Sequence, residues 1–397
     1  PIRPEDAASS PTDRSDVAPL GAESARGAPE SFTELDFDDA IGLRWDKPVV
    51  VLQDTVKPPT ERQVEILAML YKLGYLYAPQ IYRRFICNFT ERAQLREMKR
   101  ILSVGWVRRC EILRDPRRPD FRVYGLTPQG FEVLRAYRGP SGSYVHDGVE
   151  FRMPEINDPR RLLHDLHANG WLLAAQELLG KLLRAYHGPM HEPLEPPAIR
   201  EVGGKWRTIE PNEIPLGSGQ FIGGLKADRF STLRPDLRLE ISYPAPYSRR
   251  LDWLVEVDRT GRPSKNIHKF HRYDAMLTAW GRALDRYQLL GEPPIAIFVC
   301  EDEHKALEFA AAADSEVTGR IVTGGQDSEE MLYPGRQRMF FVAEGDIHLG
   351  STRAYRLATH PPDVRRKLKT TRKPKVKAEP EQVTLVPQKL LERKRVK

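Results

Sequence analysis

No run of apolar residues approaches the roughly 18 needed for a helix to cross a bilayer, so no helical membrane span is expected. Cysteine is scarce. Cys87, Cys110 and Cys300 are the only three in 397 residues. An odd, widely spaced set supports neither a disulfide framework nor a zinc knuckle. The opening residues are polar and acidic and lack the apolar stretch of a secretory signal, so a cytoplasmic setting is expected. Hydrophobic periodicity is missing from both ends. Residues 1–56 are acidic and rich in Pro, Ala, Ser and Asp, with "FTELDFDDA" the densest part. Residues 361–397 are strongly basic, with "RRKLKTTRKPKVK" and "LERKRVK". Both segments are expected to be disordered. The basic one suits a non-specific polyanion contact, or simply a solubilising tail.

What remains is globular in composition, and long enough for two domains. The whole chain is 40% hydrophobic and 29% charged, with a formal net charge of +7. Residues 57–140 form the first expected unit. Thr60 is placed to cap a helix in which Val64, Leu67, Leu70 and Leu73 recur at helical spacing. "APQIYRRF" predicts a short second helix. "TERAQLREMKRILSVG" predicts a third, with Thr90 before it and Gly105 as its stop. Leu95, Met98 and Leu102 would face inward there. Arg92, Gln94, Arg96, Lys99 and Arg100 would fall on another face.

"WVRRCEIL" and "FRVYGLT" then read as two strands around an arginine-rich loop, and "TPQGFEVLRAY" as a closing helix with Pro128 at its first position. This succession resembles a winged helix-turn-helix. The resemblance implies a basic helix entering the major groove, with Arg114, Arg117, Arg118 and Arg122 of the wing reaching flanking phosphates. Winged helices also serve as protein-docking modules, but the basic balance of helix and wing favours DNA.

Residues 155–360 form the second unit. "DPRRLLHDLHANGWLLAAQELLGKLLRAYHG" is a long helical stretch, with Gly170 a candidate break. His164 and His167 stand three apart in it, a spacing that suits a metal pair, but packed or hydrogen-bonded histidines are the expectation with no third ligand in view. "KWRTIEP" and "GQFIGG" are short strand candidates. "RPDLRLEIS" alternates, with Leu237, Leu239 and Ile241 on one face. In "LDWLVEVD" Trp253, Val255 and Val257 share a face, while Glu256 and Asp258 share the other. A long helix is predicted from about Pro263 to Leu290, followed by the strand "PIAIFVC", the helix "EDEHKALEFAAAA" and the strands "GRIVTGG" and "RMFFVAE". Together these predict a mixed central sheet flanked by helices.

The acids in these strands point to a site. Period two puts Glu256 and Asp258 roughly 7 Å apart on one face, and Asp236 lies beside them if the two strands pair. Three carboxylates at a strand end repel unless a cation neutralises them, and oxygen-only ligation suits Mg²⁺ or Mn²⁺. Lys269, on the following helix, can fold back over the acids. The bland alternative is a set of surface ion pairs with Arg238, Arg250, Arg259 or Arg272.

"RPDLRLEI", "LVEVDR" and "IHKFHRYD" resemble the core of PD-(D/E)xK nucleases. With the winged-helix-like unit ahead of them and "HDLHANGWLL" between, the chain resembles the plasmid replication-relaxation family. The resemblance implies a winged helix followed by a restriction-endonuclease-like domain, acting in plasmid replication, relaxation or mobilisation. By it, Asp236 is the strand-opening acid and Glu256 the second. Asp258 stands where a lysine is usual, Lys269 is its relocated substitute, and Glu177 is the helical acid of some nucleases. Asp236, Glu256 and Asp258 would hold the Mg²⁺ or Mn²⁺. The motif departs from the pattern in reading Glu-Val-Asp, and in carrying "RTGRP" after it. The expected partners are double-stranded DNA and a replication or relaxase protein, with a homodimer also expected. A Mg²⁺-dependent DNA endonuclease, a non-catalytic accessory factor with a degenerate nuclease-like domain, and a transcriptional regulator are the three functions to separate.

Overall fold

The computed structural model describes residues 42–47, 49, 57–86, 88–113, 121–138, 144–145, 150–151, 156, 158–188, 193–195, 200–202, 205–207, 232–259, 262–280, 285–290, 292–323, 330–370, 380–387 and 390–391. The chain opens with strand β1 (Gly42–Trp45), helix α1 (Glu61–Leu73), β2 (Tyr75–Tyr77), α2 (Ala78–Phe85), α3 (Glu91–Ser103), β3 (Val107–Leu113), β4 (Phe121–Leu126) and α4 (Pro128–Ala136). The predicted cap is in place. Thr60 and Gln63 exchange side-chain and backbone hydrogen bonds in a capping box. Gly105 ends α3 at φ +74, where a Cβ would lie 2.3 Å from the Val49 carbonyl oxygen, so only glycine fits. Strands pair antiparallel in the order β1-β3-β4-β2.

Two expectations for this region are corrected. Residues 42–45, inside the stretch expected to be disordered, form a strand against Cys110–Leu113, because the β3 edge offers them a ladder. On α3 the inward positions are Met98 and Ile101, whereas Leu95 is 40% exposed. In α4, a Cβ on Gly130 would lie 2.0 Å from the Trp106 carbonyl oxygen. Gly130→Ala is therefore expected to destabilise the protein by about 3 kcal/mol through overpacking. Urea unfolding checks this, and an unchanged midpoint would contradict it.

The helical stretch expected over 158–188 is shorter than that: the 21-residue helix α5 (Pro159–Leu179) runs unbroken through Gly170, then stops at Gly180, where φ is +50, and the chain turns into a strand at Leu183. Its Asn169 amide donates to the carbonyls of Leu73 and Tyr75, and its Leu166 carbonyl accepts from Gln80. Thereafter come β5 (Leu183–His187), the β6–β7 hairpin (Arg200–Val202, Lys205–Arg207), β8 (Leu237–Ser242), β9 (Arg250–Asp258), α6 (Ile267–Ala275) and α7 (Asp285–Leu290). Next are β10 (Ile295–Cys300), α8 (Glu303–Glu316), the β11–β12 hairpin (Ile321–Thr323, Glu330–Leu332), α9 (Pro334–Arg338), β13 (Met339–Ala343), α10 (Glu344–His348), β14 (Arg353–Arg356), α11 (Pro362–Thr370) and β15 (Glu381–Thr384).

The result is a mixed α and β architecture around a seven-stranded sheet in the order β15-β14-β13-β10-β9-β8-β5. β9, β10 and β13 run parallel; the remaining pairs are antiparallel. The apolar run of β10, buried at every position, is what a central parallel strand covered on both faces requires. One cluster of buried side chains runs from Leu67 and Leu70 of α1 through Trp171 and Leu172 of α5 to Leu239 and Trp253. Among the described residues no helix is long and apolar enough to cross a membrane.

The long helix expected from Pro263 is interrupted. A 3-10 turn at Pro263–Asn266 precedes α6, and a π-helical turn at Met276–Trp280 follows it. The basic segment from 361 contains α11 and β15, the latter paired with β14, so these parts are not disordered as expected. The strand candidate "GQFIGG" lies outside the described residues.

Candidate functional site

The site begins with an unfinished ladder. The register of β8 on β9 starts at Leu237 opposite Val255, and β9 runs on to Asp258. Val257 therefore lacks a strand partner on the β8 side, where Pro235 has no N–H to give. Side chains supply what the strand does not. Asp236 Oδ2 accepts the Val257 N–H at 2.7 Å, and His164 Nε2 of α5 donates to the Val257 carbonyl at 2.9 Å. The same imidazole nitrogen is 3.4 Å from Asp236 Oδ2.

Glu256, one residue back and 4% exposed, is gripped from α6. Lys269 Nζ is 2.7 Å from its Oε2, and the Tyr273 hydroxyl donates to Oε1 at 2.7 Å. Lys269 and Tyr273 are four apart and share a helix face. Phe270 anchors that helix, with its ring 5.1 Å from Phe298 and edge-on to Phe309 and Phe341. Asp258 accepts a hydrogen bond from the Asn266 amide. Behind the site, His167 Nδ1 donates to the fully buried Glu344 at 2.8 Å, and Arg259 reaches the other oxygen of Glu344 at 2.6 Å.

The charges in this cluster interlock. Burial opposes ionisation of Asp236, but the charge and hydrogen bond of His164, the Lys269 ammonium and the Val257 N–H hold its carboxyl below the usual range. Burial likewise opposes the charge on His164, yet Asp236 and Asp165 raise it well above the ordinary imidazole value. Burial and the Asp236 charge push Glu256 up, against the pull of Lys269 and Tyr273. Lys269 is held above its usual value despite burial, by Glu256, Asp236 and Asp258.

These shifts carry a sign. A raised His164 contributes stability that is complete below about pH 6.5 and lost as pH climbs through its folded value. A depressed Asp236 contributes stability present above about pH 4 and lost as pH falls through its folded value. Wild type should thus exceed His164→Gln in urea midpoint most at about pH 5–6, with the gap closing in alkaline solution. A gap independent of pH would show that His164 is not charged in the fold.

The structure brings Asp236, Glu256 and Lys269 together, and Asp258 lies near enough to act on Lys269. Glu177 does not join them. It pairs with Arg83 in the last turn of α5, whereas His164 sits near the other end of the helix. The residues that sequence reasoning missed are His164 in this role and Tyr273, and only the i, i+4 spacing of Tyr273 from Lys269 offered a signal. Arg250 pairs with Glu240, and Arg259 with Glu344 in a buried pair, so these two arginines meet acids other than the three carboxylates of the proposed site.

As arranged, the carboxylates that would hold a Mg²⁺ or Mn²⁺ are met by the protein's own groups. Among the described residues no group of three His, Cys, Asp or Glu side chains is disposed to hold one. Both Glu256 oxygens are engaged, Asp258 is taken up with Asn266, and the positive charge is supplied by Lys269 and His164.

The second grouping is on α3. Arg92, Arg96, Lys99 and Arg100 are exposed, and none has an ion-pair partner among the described residues. Gln94 is committed differently, its amide donating to the Ile86 and Phe89 carbonyls at the turn before α3. Arg122 lies on β4 opposite Glu111. Arg114, Arg117 and Arg118 lie outside the described residues.

No curated protein and no solved structure matches the chain. A family model described as replication-relaxation matches residues 67–291, which span α1 through the strands and helices that carry His164, Asp236, Glu256 and Lys269. That is more than half of the chain, and the protein belongs to the replication-relaxation family.

Proposed function

We propose that this is a DNA-binding accessory factor in the replication or relaxation of a plasmid or other mobile element. The α1–α4 unit acts as a winged helix whose α3 enters the major groove, and the sheet carries a nuclease-like site neutralised by its own cations. The observation that carries the reading is the α3 face, four exposed cations on one helix without carboxylate partners among the described residues. Such a face releases counterions when phosphates replace them, and that release drives duplex binding. The hairpin β3–β4 and the family's replication-relaxation description support the same reading.

The convergence of Asp236, Glu256 and Lys269 favours a second reading, a metal-dependent DNA endonuclease. Supercoiled plasmid incubated with Mg²⁺ or Mn²⁺ separates the two. Wild type is expected to leave the plasmid supercoiled while retarding it in a gel. Nicked or linear product from wild type, absent with Glu256→Ala, would establish the endonuclease instead.

A further inference from the structure

Around the neutralised carboxylates lies a rim of cations that the site itself does not use. Arg160 and Arg161 are exposed in the first turn of α5, four and three residues before His164. Arg262 and Lys265 are exposed ahead of α6, and Lys265 is four residues before Lys269. Residues three or four apart on a helix are neighbours on its surface, about 5–6 Å between Cβ atoms. His164 and Lys269 both act on Asp236; Arg160 and Arg161 lie one turn before His164, Lys265 lies in the 3-10 turn that leads into α6, and Arg262 is the residue just ahead of that turn.

None of these four side chains has an ion-pair or hydrogen-bond partner among the described residues. The acids near them are already engaged. Asp158 caps the Arg160 N–H at 2.9 Å, Asp165 lies 3.4 Å from His164, and Glu256 holds Lys269. Interior acid charge is thus met from inside, and the positive charge of the rim is left facing solvent.

We infer that this rim is a second DNA-backbone surface, separate from α3, in which Arg160, Arg161, Arg262 and Lys265 contact phosphates over the nuclease-like site. The inference rests on the reading of the protein as DNA-binding. A repeating phosphate backbone is the partner these groups fit, because exposed cations without partners among the described residues come from two elements whose His164 and Lys269 both act on Asp236. Neither segment carries any of the exposed large apolar side chains of the described residues that a peptide partner would use as anchors. Each phosphate neutralised adds about 0.9 to the slope of log affinity against log salt.

The test uses the full chain and a labelled duplex of about 30 base pairs, titrated between about 50 and 200 mM salt. Arg160→Gln with Arg161→Gln, Arg262→Gln with Lys265→Gln, and all four together are compared with wild type and with Arg96→Ala plus Lys99→Ala. Thermal melting confirms that the exposed substitutions leave the fold intact. Each rim pair is expected to lose about tenfold in affinity at low salt and to lower the slope by one to two, about one per contact. If the fourfold variant matches wild type in affinity and slope while the α3 variant weakens, the rim inference falls and the DNA-binding reading stands. If the rim variants weaken and the α3 variant does not, the rim stands and the role given to α3 falls. No duplex binding by wild type overturns both.

Discussion

Replacing Arg96 and Lys99 with alanine is expected to weaken duplex binding roughly 10- to 100-fold at low salt and to lower the salt slope by about two. Both side chains are exposed on α3, three residues apart, and neither supports the fold through a pair among the described residues. Removing them therefore changes the charge presented to phosphate without loosening the unit that presents it. Affinity measured across a salt series separates this from a general loss of structure. The same experiment with Gln94→Ala should behave differently. Its amide holds the Ile86 and Phe89 carbonyls at the turn into α3, so its loss should lower the melting temperature and leave the slope unchanged. An α3 double variant with the wild-type slope would move the DNA contact away from this helix.

Lys269→Met should cost roughly 3 kcal/mol of stability. Glu256 is almost wholly buried, and the substitution leaves its carboxylate with the Tyr273 hydroxyl alone. A buried ion pair adds little over a well-packed apolar pair, but breaking one side of it strands a charge in a poor solvent. Adding Glu256→Gln to Lys269→Met should therefore recover most of the loss, since the residue left behind is then neutral. Urea unfolding of the two single variants and the double one provides the coupling energy. Additive losses would mean that Lys269 and Glu256 do not act on each other in the folded protein. A neutral Lys269→Met would mean that the pair is solvated rather than buried.

Part of this site was legible before any coordinates. The alternation in "RPDLRLEIS" and "LDWLVEVD" places β8 and β9, and with them Asp236 and Glu256. Lys269 follows on the next helix, thirteen residues from Glu256, a separation that one strand, turn and helix can close. The contribution of His164 was not legible. It reaches Val257 across 93 residues of sequence, and no period links a position on α5 to an orphaned carbonyl on β9. Leu95 misled for a different reason. At that edge of the α3 stripe, helical spacing admits either an inward or an outward side chain, and the packing of Met98 and Ile101 decides. The interruption of the expected 263–290 helix was likewise hidden, because nothing in its apolar spacing forbids a continuous helix.

Local order needs only neighbours along the chain. The Thr60 cap, the glycine stop at Gly105, the paired strands and the basic character of α3 all follow from spacing and side-chain type, which act over a few residues. Convergence needs the completed sheet. Only when β9 outruns β8 does Val257 require outside partners, and only the seating of α5 against that end brings His164 to supply one. Whether the acids meet a metal or the protein's own cations is set there, because buried charge takes whichever counter-charge the packing brings within reach.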